Sequence, residues 1–111
     1  MVQPVVREVP YPPPATTMLA QQGRYVFTNR GCNTCHRIGG GTLIGPDLAG
    51  VTQHRNDRWL TTWLKDPAAV VGKDPELQAW VHEFGDIIMP NQNLDDKEID
   101  ALIAYLKEVS G

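Results

Sequence analysis

Cys32, Cys35 and His36 are the residues of this chain best placed to do chemistry, set together in the run Cys32-Asn33-Thr34-Cys35-His36. Two thiols separated by two residues, with an imidazole directly after, form the C-x-x-C-H pattern that attaches a c-type haem. The pattern has a geometric reason. Each thiol adds across one vinyl group to make a thioether, and two intervening residues match the spacing of those groups. The adjacent histidine is then carried beneath the iron, where a ring nitrogen can serve as proximal ligand. Other chemistries use parts of the same set. A redox dithiol places C-x-x-C at the end of a strand in a βαβ setting, and nothing here alternates with period two for long enough to make a sheet. Structural zinc takes four ligands, so Cys32, Cys35 and His36 would have to recruit His54 or His82, and neighbouring ligands make poor tetrahedral geometry. A plain disulfide closes too small a loop to constrain the unfolded chain much, and it leaves His36 without a role.

The elements that must position this motif belong to a short chain. Its 111 residues and 12.3 kDa suit one compact domain with a modest core, which a large cofactor would help to stabilise. No stretch approaches the roughly 20 apolar residues of a membrane-spanning helix. The N-terminus shows no basic segment followed by an apolar run, so no signal peptide is read there. The net charge of -3 argues against a general nucleic-acid binder. Residues 1–65 hold seven Lys/Arg and three Asp/Glu, a balance of +4, whereas residues 66–111 hold three and ten, a balance of -7. Such a dipole can orient a partner on approach; solvated surface with accidental asymmetry is the plainer reading.

Five prolines fall within residues 1–15 (Pro4, Pro10, Pro12, Pro13 and Pro14). They favour extended polyproline II structure over helix or interior strand. Residues 1–15 therefore read as an arm or linker, leading from an anchor or a preceding domain, and residues 16–111 as the folded domain. A helix is expected over residues 17–29, capped by Thr16 or Thr17, with Met18, Leu19, Tyr25, Val26 and Phe27 as its apolar side. Gly23 in mid-helix costs about 1 kcal/mol relative to alanine, which close approach of another helix would explain. The glycine-rich residues 37–56 read as a loop. Asp57 then caps a helix to Lys65, ended by Pro67, with Trp59, Leu60, Trp63 and Leu64 as its apolar face. Asp74-Pro75 starts another, carrying Leu77, Trp80, Val81 and Phe84 as an amphipathic stripe. The last helix opens with Asp95 and Glu98 in capping-box spacing and keeps Ile99, Leu102, Ile103, Leu106 and Val109 in helical register. The expected class is all-α.

With those elements in place, the chain resembles a class I (mitochondrial-type) monohaem cytochrome c of bacterial kind. The resemblance rests on Gly23 and Phe27 in the first helix, the CNTCH motif, the Gly45-Pro46-Asp47-Leu48 turn, Met89-Pro90 and the LIAYL segment at residues 102–106. It implies about four to five helices around one covalently bound haem, with the first and last helices crossing near Gly23 and Tyr105. The backbone carbonyl of Pro46 is then the acceptor for the second nitrogen of His36. An indole N–H from Trp59 or Trp63 can reach a haem propionate, although a tryptophan at helical spacing is more often core; Arg55 and Arg58 could neutralise propionates. Tyr25 and Tyr105 are expected to buttress the helix crossing.

An electron carrier keeps its iron six-coordinate in both states, so a second ligand must come from Met18, Met89, His54 or His82. Met89 stands 53 positions after His36 and precedes Pro90, where the family places its axial methionine. Core packing beside Ile87 and Ile88 is the plainer role. His82 and His54 read as surface histidines and Met18 as core. The expected function is one-electron transfer through haem c, held by Cys32 and Cys35 with His36 and Met89 on the iron, in a monomer that is not itself an enzyme. Its partners would be redox proteins docking transiently at the haem edge, near Arg30 and Arg37, on the periplasmic or extracytoplasmic side. Two alternatives remain: a haem domain feeding a larger oxidoreductase, and an open small-molecule or catalytic site if Met89 is not a ligand.

Overall fold

The computed structural model describes residues 11–110. Among them lie seven helices and no strand. Four helices have nine residues or more: α1 (Met18–Asn29), α4 (Asp57–Lys65), α6 (Pro75–Glu83) and α7 (Asp96–Val109). Between them come three short ones, α2 (Cys32–Cys35), α3 (Val51–His54) and α5 (Pro67–Gly72). The expected all-α class and the crossing of first and last helices are both present.

That crossing organises the core. On α1 the buried residues are Ala20, Gly23, Val26 and Phe27, and on α7 they are Ile99, Ala101, Leu102, Ile103, Tyr105 and Leu106. A Cβ built on Gly23 would fall 1.9 Å from the carbonyl oxygen of Ala101 and 2.6 Å from Cβ of Tyr105. The backbones therefore meet with no room for a side chain. Phe27 and Tyr105, both almost fully buried, pack tilted with ring centroids 5.8 Å apart. Of the expected apolar side, Val26 and Phe27 are buried beside Ala20 and Gly23, whereas Met18, Leu19 and Tyr25 are exposed, so Tyr105 alone of the two tyrosines buttresses the crossing.

Capping chemistry sets most boundaries. Thr17 accepts from the backbone of Ala20 at the start of α1, and Asp95 and Glu98 complete both halves of a capping box on α7. Asn56, not Asp57, caps α4, accepting from Trp59 N, and Asp57 becomes the first helical residue, where a carboxylate favours the helix dipole. Pro67 ends α4 but also starts α5, since Asp66 caps that helix and proline at its first position gives up no needed hydrogen bond. A stop signal thus conceals a start. Residues 37–56 include the turn of helix α3, entered through Gly50 at a φ of 75°. On α6 only Leu77 of the expected stripe is fully buried; Trp80 is 46% exposed and packs edge-on against Phe84 instead.

The described end of the proline-rich stretch lies on the domain. Pro12 is buried; its carbonyl accepts from the guanidinium of Arg24, the Tyr105 hydroxyl donates to the Pro13 carbonyl at 2.6 Å, and the Tyr11 hydroxyl accepts from Ile38 N at 3.0 Å. The rest of the arm reading, residues 1–10, falls outside the described residues.

Gly23→Ala is expected to cost about 3 kcal/mol or more, at the top of the range for overpacking, because its clash is with backbone. Gly72→Ala, where a Cβ meets nothing within 4 Å, is expected to be neutral or to stabilise by up to about 1 kcal/mol. Denaturant melts of the two variants check this; similar effects at both positions would contradict the close-crossing account.

Candidate functional site

Helix α1 ends at Asn29, and Gly31, in left-handed conformation at φ 75°, turns the chain directly into α2. This places Cys32 and Cys35 on a single helical turn, both half-buried and neither in a disulfide. Burial pushes the Cys32 thiol up to about 11, the opposite of the lowered value that marks the attacking cysteine of a redox dithiol. Among the described residues, no group of three or more His, Cys, Asp or Glu is arranged to hold a metal ion, so the ligand set of a tetrahedral zinc site is not assembled.

His36 follows in extended conformation. Its Nδ1 lies 2.8 Å from the carbonyl oxygen of Pro46. A carbonyl only accepts, so Nδ1 carries the proton, and in the neutral ring Nε2 keeps its lone pair, the state a metal ligand needs. Gly45 permits this contact, since a Cβ there would sit 2.6 Å from Cε1 of the imidazole. The turn is fastened to the motif on both sides, with Gly45 N donating to Cys35 O and Leu48 N to Arg37 O at 2.7 and 2.8 Å.

Asp47 escaped the sequence analysis as a site residue. Its carboxylate accepts from the backbone N–H of Ala49, Gly39 and Gly41 at 2.8–2.9 Å. Three successive glycines at positive φ have little order of their own, and one side chain gathers the loop beside His36. An Asp two residues before a free N–H, in a glycine-rich stretch, is a turn signal that could have flagged it. These hydrogen bonds, that to Ala49 foremost, hold the carboxyl below the usual aspartate range.

The second set of residues comes from the other half of the chain. Met89, half-buried, has its Sδ 3.3 Å from the indole nitrogen of Trp63 on α4. Trp63 stacks on Trp59 with centroids 5.5 Å apart and planes 7° from parallel, and the Arg55 guanidinium lies 4.2 Å from the Trp59 ring centroid. Ile87 and Ile88 are exposed, so Met89 is not part of a buried run with them. Cys32, Ile38, Leu48, Trp59, Trp63 and Met89 all pack against the same buried cluster around α1 and α7, so the attachment motif and Met89 share one core. The remaining candidates do not join them. Met18 is 79% exposed, against its expected core role, His54 is exposed, and His82 is an exposed partner of Asp86 at 2.9 Å. Of the two basic residues flanking the motif, Arg30 is paired with Glu98 at 2.9 Å and also reaches the Gln92 carbonyl.

The arrangement suits a haem: two free thiols on one turn, an imidazole held in the metal-binding tautomer and a soft thioether rooted on the same core. Comparison with known proteins agrees. The cytochrome c family model matches residues 20–110. A cytochrome c from Rhodothermus marinus is similar in structure with a TM-score of 0.75 and 32% identity, over 83% of this chain and 77% of that one. The cytochrome c domain of a Pseudomonas putida protein gives 0.66 and 40%, over 77% and 84%. A curated relative, cytochrome c oxidase subunit 2 of Alkalihalophilus pseudofirmus, is 31% identical over 85% of this chain. The chain spans only 27% of that relative's length.

Because the Asp47 carboxyl is held low in the folded state, its stabilising effect is present above the unfolded-state value and lost as pH falls through the folded one. Asp47→Asn is expected to lower the melting temperature at pH 7, since an amide nitrogen cannot accept, and to flatten the loss of stability below about pH 4. Melting curves from pH 7 to pH 2 check this; an unchanged acid limb would contradict it.

Proposed function

The chain belongs to the cytochrome c family, and from that premise we propose that it carries electrons on one haem c, bound covalently by Cys32 and Cys35, with His36 and Met89 as axial ligands. The observation that carries this reading is the Nδ1 to Pro46 contact of His36, which sets the tautomer and aims the free nitrogen away from the turn. When bound, the haem supplies one-electron chemistry as its iron alternates between ferric and ferrous. The protein's part is to hold still. His36 is fixed through the Pro46 turn, and Met89 through α4, so neither ligand has to reorganise when charge changes. A thioether is a soft donor, and His/Met ligation raises the potential relative to bis-histidine. Trp59, with Arg55 on its face, is the side chain this reading assigns to the propionates.

Transient docking would occur beside the attachment motif, where Arg37 leaves the rim neutral to positive once Arg30 is counted with Glu98. Such a rim suits an acidic partner. Covalent haem attachment takes place outside the cytoplasm, which puts the domain on an extracytoplasmic face. No helix among the described residues is long and apolar enough to cross a membrane.

The match to an oxidase subunit more than three times as long favours a second reading, in which this domain delivers electrons within a larger oxidoreductase. Immunoblotting of the native cells separates the two: a band near 12.3 kDa supports a free carrier, and a several-fold larger band supports the subunit.

The ferric spectrum is expected to show the weak far-red band of methionine-ligated haem. Met89→Ala is expected to abolish that band and open the iron to added cyanide. A parent protein without the band would contradict Met89 ligation and favour the open-site alternative. Reduction rates with an acidic redox partner are expected to fall about tenfold or more between low and physiological salt, as steering is screened; flat rates would contradict the docking rim.

A further inference from the structure

Pro12, Pro13 and Pro14 carry no backbone N–H, so this run can accept hydrogen bonds but cannot donate them. The first and last helices meet it with donors. Arg24 of α1 gives two guanidinium hydrogens to the Pro12 carbonyl at 3.1 and 2.8 Å, and Gln21 of α1 reaches the Ala15 carbonyl at 3.3 Å. Tyr105 of α7 gives its hydroxyl hydrogen to the Pro13 carbonyl. At Thr16 the polarity reverses, and both the backbone N–H and the hydroxyl donate to Oε1 of Glu108 on α7. Pro12 is buried, and Ala15 packs against the main core. At the other end the Tyr11 hydroxyl accepts from Ile38 N at 3.0 Å, two residues after His36. Residues 11–16 therefore run back along α1, from the last turn of α7 to the loop behind the attachment motif. They lie ahead of the segment shared with the family, which begins at residue 20.

We propose that residues 11–16 form a strap that docks and lifts as one piece, with Tyr11 as a positioning residue for the backbone that follows His36. The unit comes from stiffness. A run of prolines is semi-rigid over several residues, so losing one fastening loosens the others. The loop that the strap reaches has little order of its own, because Gly39, Gly40 and Gly41 are all at positive φ. It is held by Asp47 at Gly39 and Gly41, by Leu48 at Arg37, and by Tyr11 at Ile38. Lifting the strap frees the Ile38 N–H and removes the hold that comes from outside this loop and its turn. Such coupling is reciprocal. Whatever orders the segment after His36 also favours the docked strap, and whatever draws the strap away is felt beside the attachment motif. The coupling concerns the polypeptide and does not depend on which group completes the iron.

Amide hydrogen exchange of the full chain, haem-loaded and ferrous, reads this coupling residue by residue, since a segment that opens locally exchanges its own amides without global unfolding. Arg24→Ala and Glu108→Ala each remove a fastening that does not touch Ile38, and Glu108 is exposed, so its loss leaves the core intact. In both variants exchange at the Ile38 N–H is expected to quicken about fivefold, the worth of one net hydrogen bond in an equilibrium constant. Gly39 and Gly41, bonded to Asp47, and the buried stretch of α7 are expected to keep the parent's rates. Tyr11→Phe keeps the ring, removes the acceptor and is expected to quicken Ile38 by at least as much. An Ile38 rate that stays at the parent value in either Arg24→Ala or Glu108→Ala overturns the proposal, because the strap then does not move as one piece. Equal quickening at Gly39 and Gly41 overturns it as well, since the loop would then open without regard to the strap.

Discussion

Gly23 lets α1 approach α7 until backbone meets backbone, and the rest of the molecule is arranged from that contact. A side chain at this position would overlap the Ala101 carbonyl, so the separation of the helices is set by main-chain atoms alone. Phe27 then falls against Tyr105, one turn further along α1, and α1 stops two residues later. The attachment motif begins three positions beyond that stop. Its place is therefore inherited from the crossing, through one short turn and with no flexible connection between.

The site is built from two arms on one core. The first is local: Gly31 turns the chain, α2 presents both thiols, and the Pro46 turn returns to orient His36. The second is distant in sequence, since Met89 is brought in by the loop ahead of α7 and braced by α4. Each arm answers a different physical need. In the proposed haem site the first would match a rigid porphyrin in spacing and tautomer, which calls for backbone hydrogen bonds and for glycine where a side chain would strike the imidazole. On the proposed ligation by Met89, the second would offer a soft donor at a constant position, which packing against α4 provides.

Much of this was legible in residue order because the signals are local. Cys32, Cys35 and His36 declare their spacing outright, Asp95 and Glu98 form a complete cap, and Gly23 in mid-helix pointed to a close neighbour. Val26 and Phe27 of the first helix are legible as core, whereas Met18, Leu19 and Tyr25 are not legible as exposed, because the crossing buries the side that carries Ala20 and Gly23. Helix α5 was hidden because Pro67 was read only as a terminator. Trp63 could not be assigned, since the atom it serves lies 26 positions away and depends on how α4 sits against the Met89 loop. Asp47 shows in the sequence as a turn residue in a glycine-rich stretch, but two of its three partners, Gly39 and Gly41, lie behind it in the chain and carry no side-chain signal.

Covalent attachment of one haem through Cys32 and Cys35 is the proposal on which the rest of the proposed function stands. Intact mass spectrometry of the protein matured in a cell that attaches c-type haem tests it most directly. One haem added to the polypeptide mass, retained after acid denaturation and lost in Cys32→Ala/Cys35→Ala, is the predicted result. The bare chain mass, or a haem that leaves on denaturation, would contradict it.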